Sequence, residues 1–549
     1  MTDSGSEVPK RPYLAYLEAV MVSAAAATLV FLIQWRYGFN WGDEGWLWYI
    51  SQRVNLGEVP IRDVFSYDPG RYYWSAVIFK ILGRDGFFEQ LLANYLFGIF
   101  GLAITYVSMS AAGVTRAWRV SILVLLAVIL GFPRHKVYEQ TLSLVAAAGI
   151  TFLLTRPEKL KRWFVYGVAT GLAAFIGKNS GLYFVIAFFL TFLVLRMSGT
   201  TASVVRIFGS LCAGIIIGYS PMLLMAVYFH GFASAFWQSV ILTRNWSWSV
   251  PIPFPWSSHA HALRGLDLAQ WRAASWLCVA VPLTYAFIFW RGLRHRAQRP
   301  EALALGASIA GIPYLNHAFH QADFPHIAQG VVPFVVAVGV FCYFLWIRDR
   351  RRWSVALLAA LYFLVLACWL PMEPLVQHLR TKAFAPQTLA RIELGDRKFE
   401  VPVQQAEVMQ IVQTVFRSCG GTEGGFFEAP FYPGLYAFLR TRAPSWDTDF
   451  FWPRNEYRQQ QEIGALIQNR TSLLLINKDA MFDGHQWLKI AATNPILAQY
   501  LHETYQRAST KLPGGFELDV LPGSCAENFL RSNSYARATH LSEIANSVY

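Results

Sequence analysis

Two adjacent carboxylates, Asp43 and Glu44, stand in the short run Trp41-Gly42-Asp43-Glu44-Gly45-Trp46, just past the end of an apolar stretch. A carboxylate at such a place meets the headgroups of lipid-borne molecules. In a partly desolvated setting it could take the proton of an attacking hydroxyl as a general base. The plainer role for Asp43 is to cap the helix that its own run begins, because Asp at a helix start accepts from free backbone N–H groups. Cations that could answer the charge of a departing phosphate are Arg71, Arg134, Lys136, Lys178 and Arg244. Lys178 is the most informative, since Gly177-Lys178-Asn179-Ser180-Gly181 interrupts an apolar stretch, where charge is costly and usually functional. Its plainer role is a lysine that snorkels to the interface. His317, His320, Asp323 and His326 are spaced by threes, so two or three of them could face one site from a helix. His320 and His326 are candidates for hydrogen bonds to phosphate or sugar. A metal reading of this cluster is weaker, because Pro325 should interrupt the helix and no further ligand set is visible. A divalent cation could also be held by Asp43 with Glu44 or Asp63, although neighbours on a helix point about 100 degrees apart.

These residues need a scaffold, and the composition indicates its solvent. The chain is 54% hydrophobic and only 15% charged, far from the balance of a water-soluble domain. Long apolar runs occur at 14–35, 91–112, 207–228, 327–346 and 353–370, with shorter ones at 120–132, 141–154, 163–176, 181–195, 276–290 and 302–315. Charge punctuates all of them, so they predict a multi-pass α-helical membrane protein of about eleven transmembrane helices. The first run follows a polar decapeptide and has no small-residue cleavage site after it, which predicts a retained anchor.

The net charge of +13 has its source at alternate helix junctions and not on one soluble face, which argues against a nucleic-acid partner. One set of junctions carries Lys10, Arg11, Arg116, Arg119, Arg156, Lys159, Lys161, Arg162, Arg196, Arg206, the arginines of 291–299 and those of 348–352. The intervening connections carry far fewer. The rule that positive loops stay inside then puts the N-terminus in the cytoplasm and the C-terminal part outside, the periplasm of a bacterial inner membrane.

Three stretches lie beyond the spans. The first outside loop, 36–90, is predicted as a membrane-surface platform. In it, Leu47, Ile50 and Val54 beside Trp46, Trp48 and Tyr49 form one interfacial helix, 71–82 forms a second, and Gly57, Pro60 and Pro69 break the linker between them. A second outside loop, 230–272, is rich in Trp, Pro and Ser and could cap a site. From 371 to 549 hydropathy falls, and helix-like and strand-like patches alternate at 408–416, 425–430, 459–469, 472–477 and 516–521, predicting a soluble α/β domain after the membrane domain of 1–370. Cys419 and Cys525 are the only cysteines of that domain and could bridge if it is exported, though sequence does not supply the geometry. Cys212, Cys278, Cys342 and Cys368 lie in apolar runs.

Gly42-Asp43-Glu44-Gly45, Trp48-Tyr49-Ile50-Ser51-Gln52-Arg53, Gly57-Glu58-Val59-Pro60-Ile61-Arg62-Asp63 and Tyr67-Asp68-Pro69-Gly70-Arg71-Tyr72-Tyr73 resemble the first outside loop of the GT-C glycosyltransferases. Within that superfamily the run is most similar to bacterial relatives of the protein O-mannosyltransferases and of the lipid A aminoarabinose transferase. The resemblance is specific over 40–83 and weak in the C-terminal domain. It implies an inverting enzyme that takes a sugar from a polyprenyl-phosphate donor to an exported lipid, glycan or protein, with Asp43 as the key acid and Glu44 beside it. Glu139 is the nearest match to a second polar group of the family's second outside loop. One departure is that lipid A transferases carry Lys-Pro where this chain has Asp68-Pro69, which leaves Arg71 as the candidate replacement for the phosphate-binding lysine. The competing class is a transporter or flippase, but transporters place their groups near mid-membrane in two related halves, and no second half is visible here. A third reading is a sensor or scaffold that works through the C-terminal domain.

Overall fold

A computed structural model describes residues 12–199, 203–244, 252–257, 263–294, 299–348, 351–385, 388–481, 485–508 and 512–532. The apolar runs are all helical. In chain order the first part contains α1 (Pro12–Gln34), α2 (Asp43–Asn55), α3 (Gly70–Leu82), α4 (Phe87–Ala111), α5 (Arg116–Gly131), α6 (Val137–Thr155), α7 (Leu160–Ile176), α8 (Lys178–Met197), α9 (Val204–Tyr228), α10 (Phe232–Arg244), α11 (Gly265–Arg294), α12 (Arg299–His320), α13 (Phe324–Ile347) and α14 (Arg351–Trp369). Among the described residues, eight helices are each long and apolar enough to cross a membrane, by length and composition, against about eleven expected. The difference falls on α5 and α7, which have 16 and 17 residues, and on α12, which is long but carries Glu301, Asn316 and two histidines.

Packing explains how the short helices keep their place. Gly167 and Gly171 on α7 face Gly214 and Gly218 on α9, and a Cβ added at any of the four would lie 2.1–2.4 Å from a carbonyl oxygen of the other helix. Small residues four apart on both helices thus let the two backbones touch, the arrangement that association in lipid favours. α13 is the hub, with 78% of its apolar window buried inside the protein. α1 is peripheral, with 11% of its window buried, so most of its surface faces lipid.

The second part holds α15 (Pro374–Phe384), β1 (Leu389–Glu393), β2 (Lys398–Pro402), α16 (Val403–Ser418), β3 (Phe426–Ala429), α17 (Gly434–Leu439), α18 (Glu456–Gln468), β4 (Leu473–Ile476), α19 (Ile490–Thr493), α20 (Pro495–Thr504), β5 (Gln506–Arg507), β6 (Glu517–Val520) and α21 (Cys525–Ser532). Strands β3, β4, β6 and β5 form one sheet in that order, β3 and β4 parallel and the others antiparallel. β3, β4 and β6 run through fully buried apolar positions such as Phe427, Leu474 and Leu518, while the edge strand β5 is polar and exposed. A disulfide between Cys419 and Cys525 ties the end of α16 to the start of α21. The hairpin β1–β2 was not legible as strands; its edge is extended by the chain leaving α1, where Gly38 N donates to Glu400 O and Glu400 N donates to Arg36 O, both at 2.9 Å.

One expectation is overturned by this packing. α2 was predicted to lie at the membrane interface with one face in lipid, yet every residue from Glu44 to Val54 is buried. The C-terminal part covers it. Gly45 meets Gly434 so closely that a Cβ at Gly45 would lie 2.5 Å from the Gly434 Cα. Tyr49 accepts from Ala443 N at 2.8 Å, and Trp446 Nε1 donates to Ile61 O at 2.9 Å. Trp46, Trp48 and Tyr49 therefore pack against protein, which aromatic content alone does not distinguish from a membrane interface. α3 does keep apolar residues outward, with Val77, Ile81 and Leu82 exposed.

Candidate functional site

The start of α2 decides the roles of the two adjacent acids. Asn40 Oδ1 accepts from Gly42 N at 3.0 Å and from Asp43 N at 3.2 Å, so Asn40 holds the turn that enters the helix; Gly42 is the N-cap, and the capping role weighed for Asp43 is not realised. The Asp43 carboxylate remains 47% exposed, with the Asn40 amide 3.3 Å from its Oδ2 and His135 Nε2 3.8 Å away. Glu44, next in sequence and turned to another side of the helix, is buried. Its two oxygens accept from Arg134 Nε at 2.6 Å and Nη2 at 2.7 Å, and Oε2 also accepts from Asn40 N at 3.0 Å. Arg134 spends its remaining donors on the carbonyls of Tyr37 and Gly38. This fork-to-carboxylate pair pins the end of α1, the start of α2 and the turn before α6 to one another.

Three distant segments meet at Asp43: the start of α2, the turn His135–Lys136, and the junction of α12 with α13. Burial opposes ionisation of Asp43, but the positive field of His135, Lys136 and His326, with the Asn40 hydrogen bond, holds its carboxyl below the usual carboxylate range. His326 is set by Asp323, which caps α13: Asp323 Oδ1 accepts from His326 N at 2.9 Å and lies 2.6 Å from His326 Nδ1. The Asp323 carboxyl is raised by burial and lowered more strongly by His326, so it too lies below its ordinary range. The His317 ring is 5.3 Å from that of His326, whereas His320 is exposed. Pro325 falls in the first turn of α13, where its missing N–H costs nothing.

A second constellation borders the first. Arg71 is buried between the rings of Tyr67 and Tyr138, pairs with Glu139 at 2.9 Å and donates from Nε to Ile176 O at 3.2 Å. Asp68 Oδ2 accepts from Lys178 N at 2.8 Å and so caps α8 across 110 residues of sequence. Asp68 and Arg71 together fix the Gly177–Lys178 break. Glu139 keeps one buried oxygen, Oε2, without a hydrogen-bond partner among the described residues. Lys136 and Lys178 are partly buried, and neither has an ion pair among the described residues.

The remaining sequence candidates lie apart. Asp63 is engaged by Arg62 at 2.8 Å and by Val59 N at 2.7 Å, and it stabilises the linker after α2. Arg244 ends α10, and its side chain lies outside the described residues; of the 230–272 stretch read as a loop that could cap a site, the two ends are helical, in α10 and α11, and 245–251 and 258–262 lie outside the described residues. Among the described residues no group of three or more His, Cys, Asp or Glu side chains could hold a metal ion. The four side chains of the 317–326 cluster do not converge on one point: Asp323 is engaged by His326, and His320 is exposed. Sequence reasoning missed Asn40, whose signal was an asparagine three positions before Asp43. It also missed Glu373, whose carboxyl burial pushes up to about 8 in the neighbourhood of Arg134.

No protein-family model matches the chain, and no curated protein matches it. Solved structures similar to it include the Archaeoglobus fulgidus oligosaccharyltransferase tethered to an acceptor peptide, at 12% identity and a TM-score of 0.49, covering 93% of this chain and 74% of that one. ArnT from Cupriavidus metallidurans in the apo state is similar at 14% identity and a TM-score of 0.48, covering 92% of this chain and 97% of that one. At these identities the functional reading stands or falls on the site itself.

Proposed function

We propose that the chain is a membrane glycosyltransferase that moves a sugar from a polyprenyl-phosphate donor to the hydroxyl of an exported lipid, glycan or protein, with inversion at the anomeric carbon. The observation that carries this reading is the isolation of one carboxylate. Glu44, Glu58, Asp63, Asp68, Asp85 and Glu139 are each engaged by an arginine or a backbone N–H. Asp43 alone among them stands half open, ionised, and ringed by cationic and histidine side chains. In this reading the acceptor oxygen attacks the anomeric carbon as its proton passes to Asp43. A new carbon–oxygen bond forms, the bond to the phosphate oxygen breaks, and the electron pair leaves with the polyprenyl phosphate. The leaving group is already good, so a base and cations suffice and no enzyme nucleophile is required. Lys136 and Lys178, uncommitted to other carboxylates, are the cations proposed for the phosphate. His326 is proposed to contact sugar or phosphate from the ring nitrogen that Asp323 leaves open. Glu44 is a positioning residue, because Arg134 occupies both of its oxygens.

The site is assigned to the outer face of a bacterial inner membrane, where lipid-linked sugars are consumed. Mass spectrometry of the exported lipids and glycans of cells with and without the gene tests the reading. The expected result is the loss of a single sugar residue from one class of product. Identical profiles, in cells shown to make the protein, would count against it.

A further inference from the structure

Beside the Asp43 cleft, α1, α4 and α5 line a slot that opens outward and whose empty space, counted together with the open solvent at its mouth, is about 500 Å³. Ala27 and Val30 of α1, Leu91 and Leu102 of α4, and Ala127 and Leu130 of α5 make its walls. All six are apolar, and α1 presents the opposite side, Leu29, Leu32 and Ile33, to lipid. A slot of this kind between membrane helices opens into hydrocarbon and not into water. Apolar cavities do not hold water, and a gap forfeits the dispersion contacts of every atom that lines it. Hydrocarbon from the bilayer is the filling that restores them.

The slot also has one polar end, which distinguishes it from a mere groove. Gln34, the last residue of α1, lines it there together with Asn94 and Arg134. The Gln34 amide nitrogen donates to Gly131 O at 2.8 Å, which fixes which end of the amide is oxygen. That oxygen, Oε1, is buried with no hydrogen-bond partner among the described residues, in a residue only 5% exposed. Asn94 is satisfied by Gln90, Tyr138 and the Arg134 carbonyl, and Arg134 by Glu44 and two carbonyls. Only Gln34 therefore still calls for a partner, and that partner must be a donor. An unmet acceptor at the end of an apolar slot, at headgroup depth, has the pattern of a lipid site.

We infer that the slot holds one acyl chain of a membrane phospholipid whose headgroup carries an N–H or O–H donor, with Gln34 accepting the headgroup hydrogen bond. Because Gln34 neighbours the Arg134 that clamps Glu44, an occupied slot also stiffens the base of the Asp43 site.

The test uses the full chain in vesicles containing phosphatidylethanolamine that carries a diazirine midway along one acyl chain. After irradiation the adducts are mapped to peptides. The expected result is that adducts at Ala27, Val30, Leu102 and Ala127 exceed those at Leu29, Leu32 and Ile33. Ala27→Trp, which overpacks the slot, should lower the slot adducts about fivefold or more while leaving those on the outer side of α1 unchanged. Val30→Phe gives the same reading should the first variant not fold. A phosphatidylcholine probe, which has no donor, should label the slot more weakly than the ethanolamine probe, and Gln34→Leu should abolish that difference. Slot adducts no higher than outer-face adducts, or unchanged in both filling variants, overturn the site. Equal labelling by the two headgroups overturns the Gln34 contact.

Discussion

Glu44→Ala is the perturbation that most cleanly separates the two adjacent acids. The Glu44 and Arg134 side chains are 4% and 8% exposed, and two short hydrogen bonds join them. Removing the carboxylate leaves the guanidinium buried against two carbonyl oxygens, and an uncompensated buried charge costs about 3–5 kcal/mol. Replacing both partners, as in Glu44→Leu with Arg134→Met, removes the charge along with its counterion, and such swaps are often near neutral. The double variant should therefore recover most of the loss, a coupling of about 2 kcal/mol or more within one cycle. Asp43→Asn, at a half-exposed side chain, should stay within about 0.5 kcal/mol of the parent. Equilibrium unfolding of the reconstituted protein in mixed micelles measures the parent, these variants, and the single variants Glu44→Leu and Arg134→Met that close the cycle. If Glu44→Ala loses less than about 1 kcal/mol, or if Asp43→Asn is the more damaging change, the division of labour argued here is wrong.

Three further expectations follow from the geometry. Asp68→Ala should cost about 1 kcal/mol as a lost helix cap, read as faster hydrogen exchange at the first amides of α8, 178–181, with the rest of the helix unaffected. Burial pushes the Asp449 carboxyl up to about 7, with Asp447 beside it adding to the effect. The fold therefore favours the protonated form, and the stability of the second part should fall as pH rises from about 4, the ordinary carboxylate value, to about 7 and then level off. Asp449→Asn keeps an acceptor for Trp452 Nε1 and should flatten that slope in pH-dependent hydrogen exchange of β3 and β4; an unchanged slope contradicts it. Reducing the Cys419–Cys525 bridge, which spans 106 residues, should destabilise the same sheet by about 4–5 kcal/mol by the loop-entropy relation. A double Cys→Ser variant that unfolds like the parent would show the bridge to be dispensable.

How far the sequence carried the fold depended on whether the signal was local. Apolar runs bounded by charge marked α1, α4 to α9 and α11 to α14, though not α10, which forms inside the stretch read as a loop, and the strand patches at 425–430, 472–477 and 516–521 enclose β3, β4 and β6, because period and turn residues are written in a few consecutive positions. The number of self-sufficient spans was less legible, since α7 depends on backbone contact with α9 and not on its own length. The site was legible only in part. Asp43 could be singled out from its neighbours, but the engagement of Glu44 by Arg134 joins positions 90 apart, and the capping of Lys178 by Asp68 joins positions 110 apart. Such pairings are properties of the packed helices, and no window along the chain contains them. The same holds for α2, whose Gly45 and Tyr49 meet Gly434 and Ala443 of a covering part that lies more than 380 residues further along.

The central claim is tested most directly by turnover with a single atom pair exchanged. Parent protein and Asp43→Asn, each in liposomes supplied with polyprenyl-phosphate sugars and with the exported lipids and glycans of the same cells as acceptors, are followed by mass spectrometry for the release of sugar-free polyprenyl phosphate. The account predicts release by the parent and a loss of at least about a hundredfold in the variant, the scale of general-base catalysis, with donor binding retained. Equal release from both proteins would contradict it.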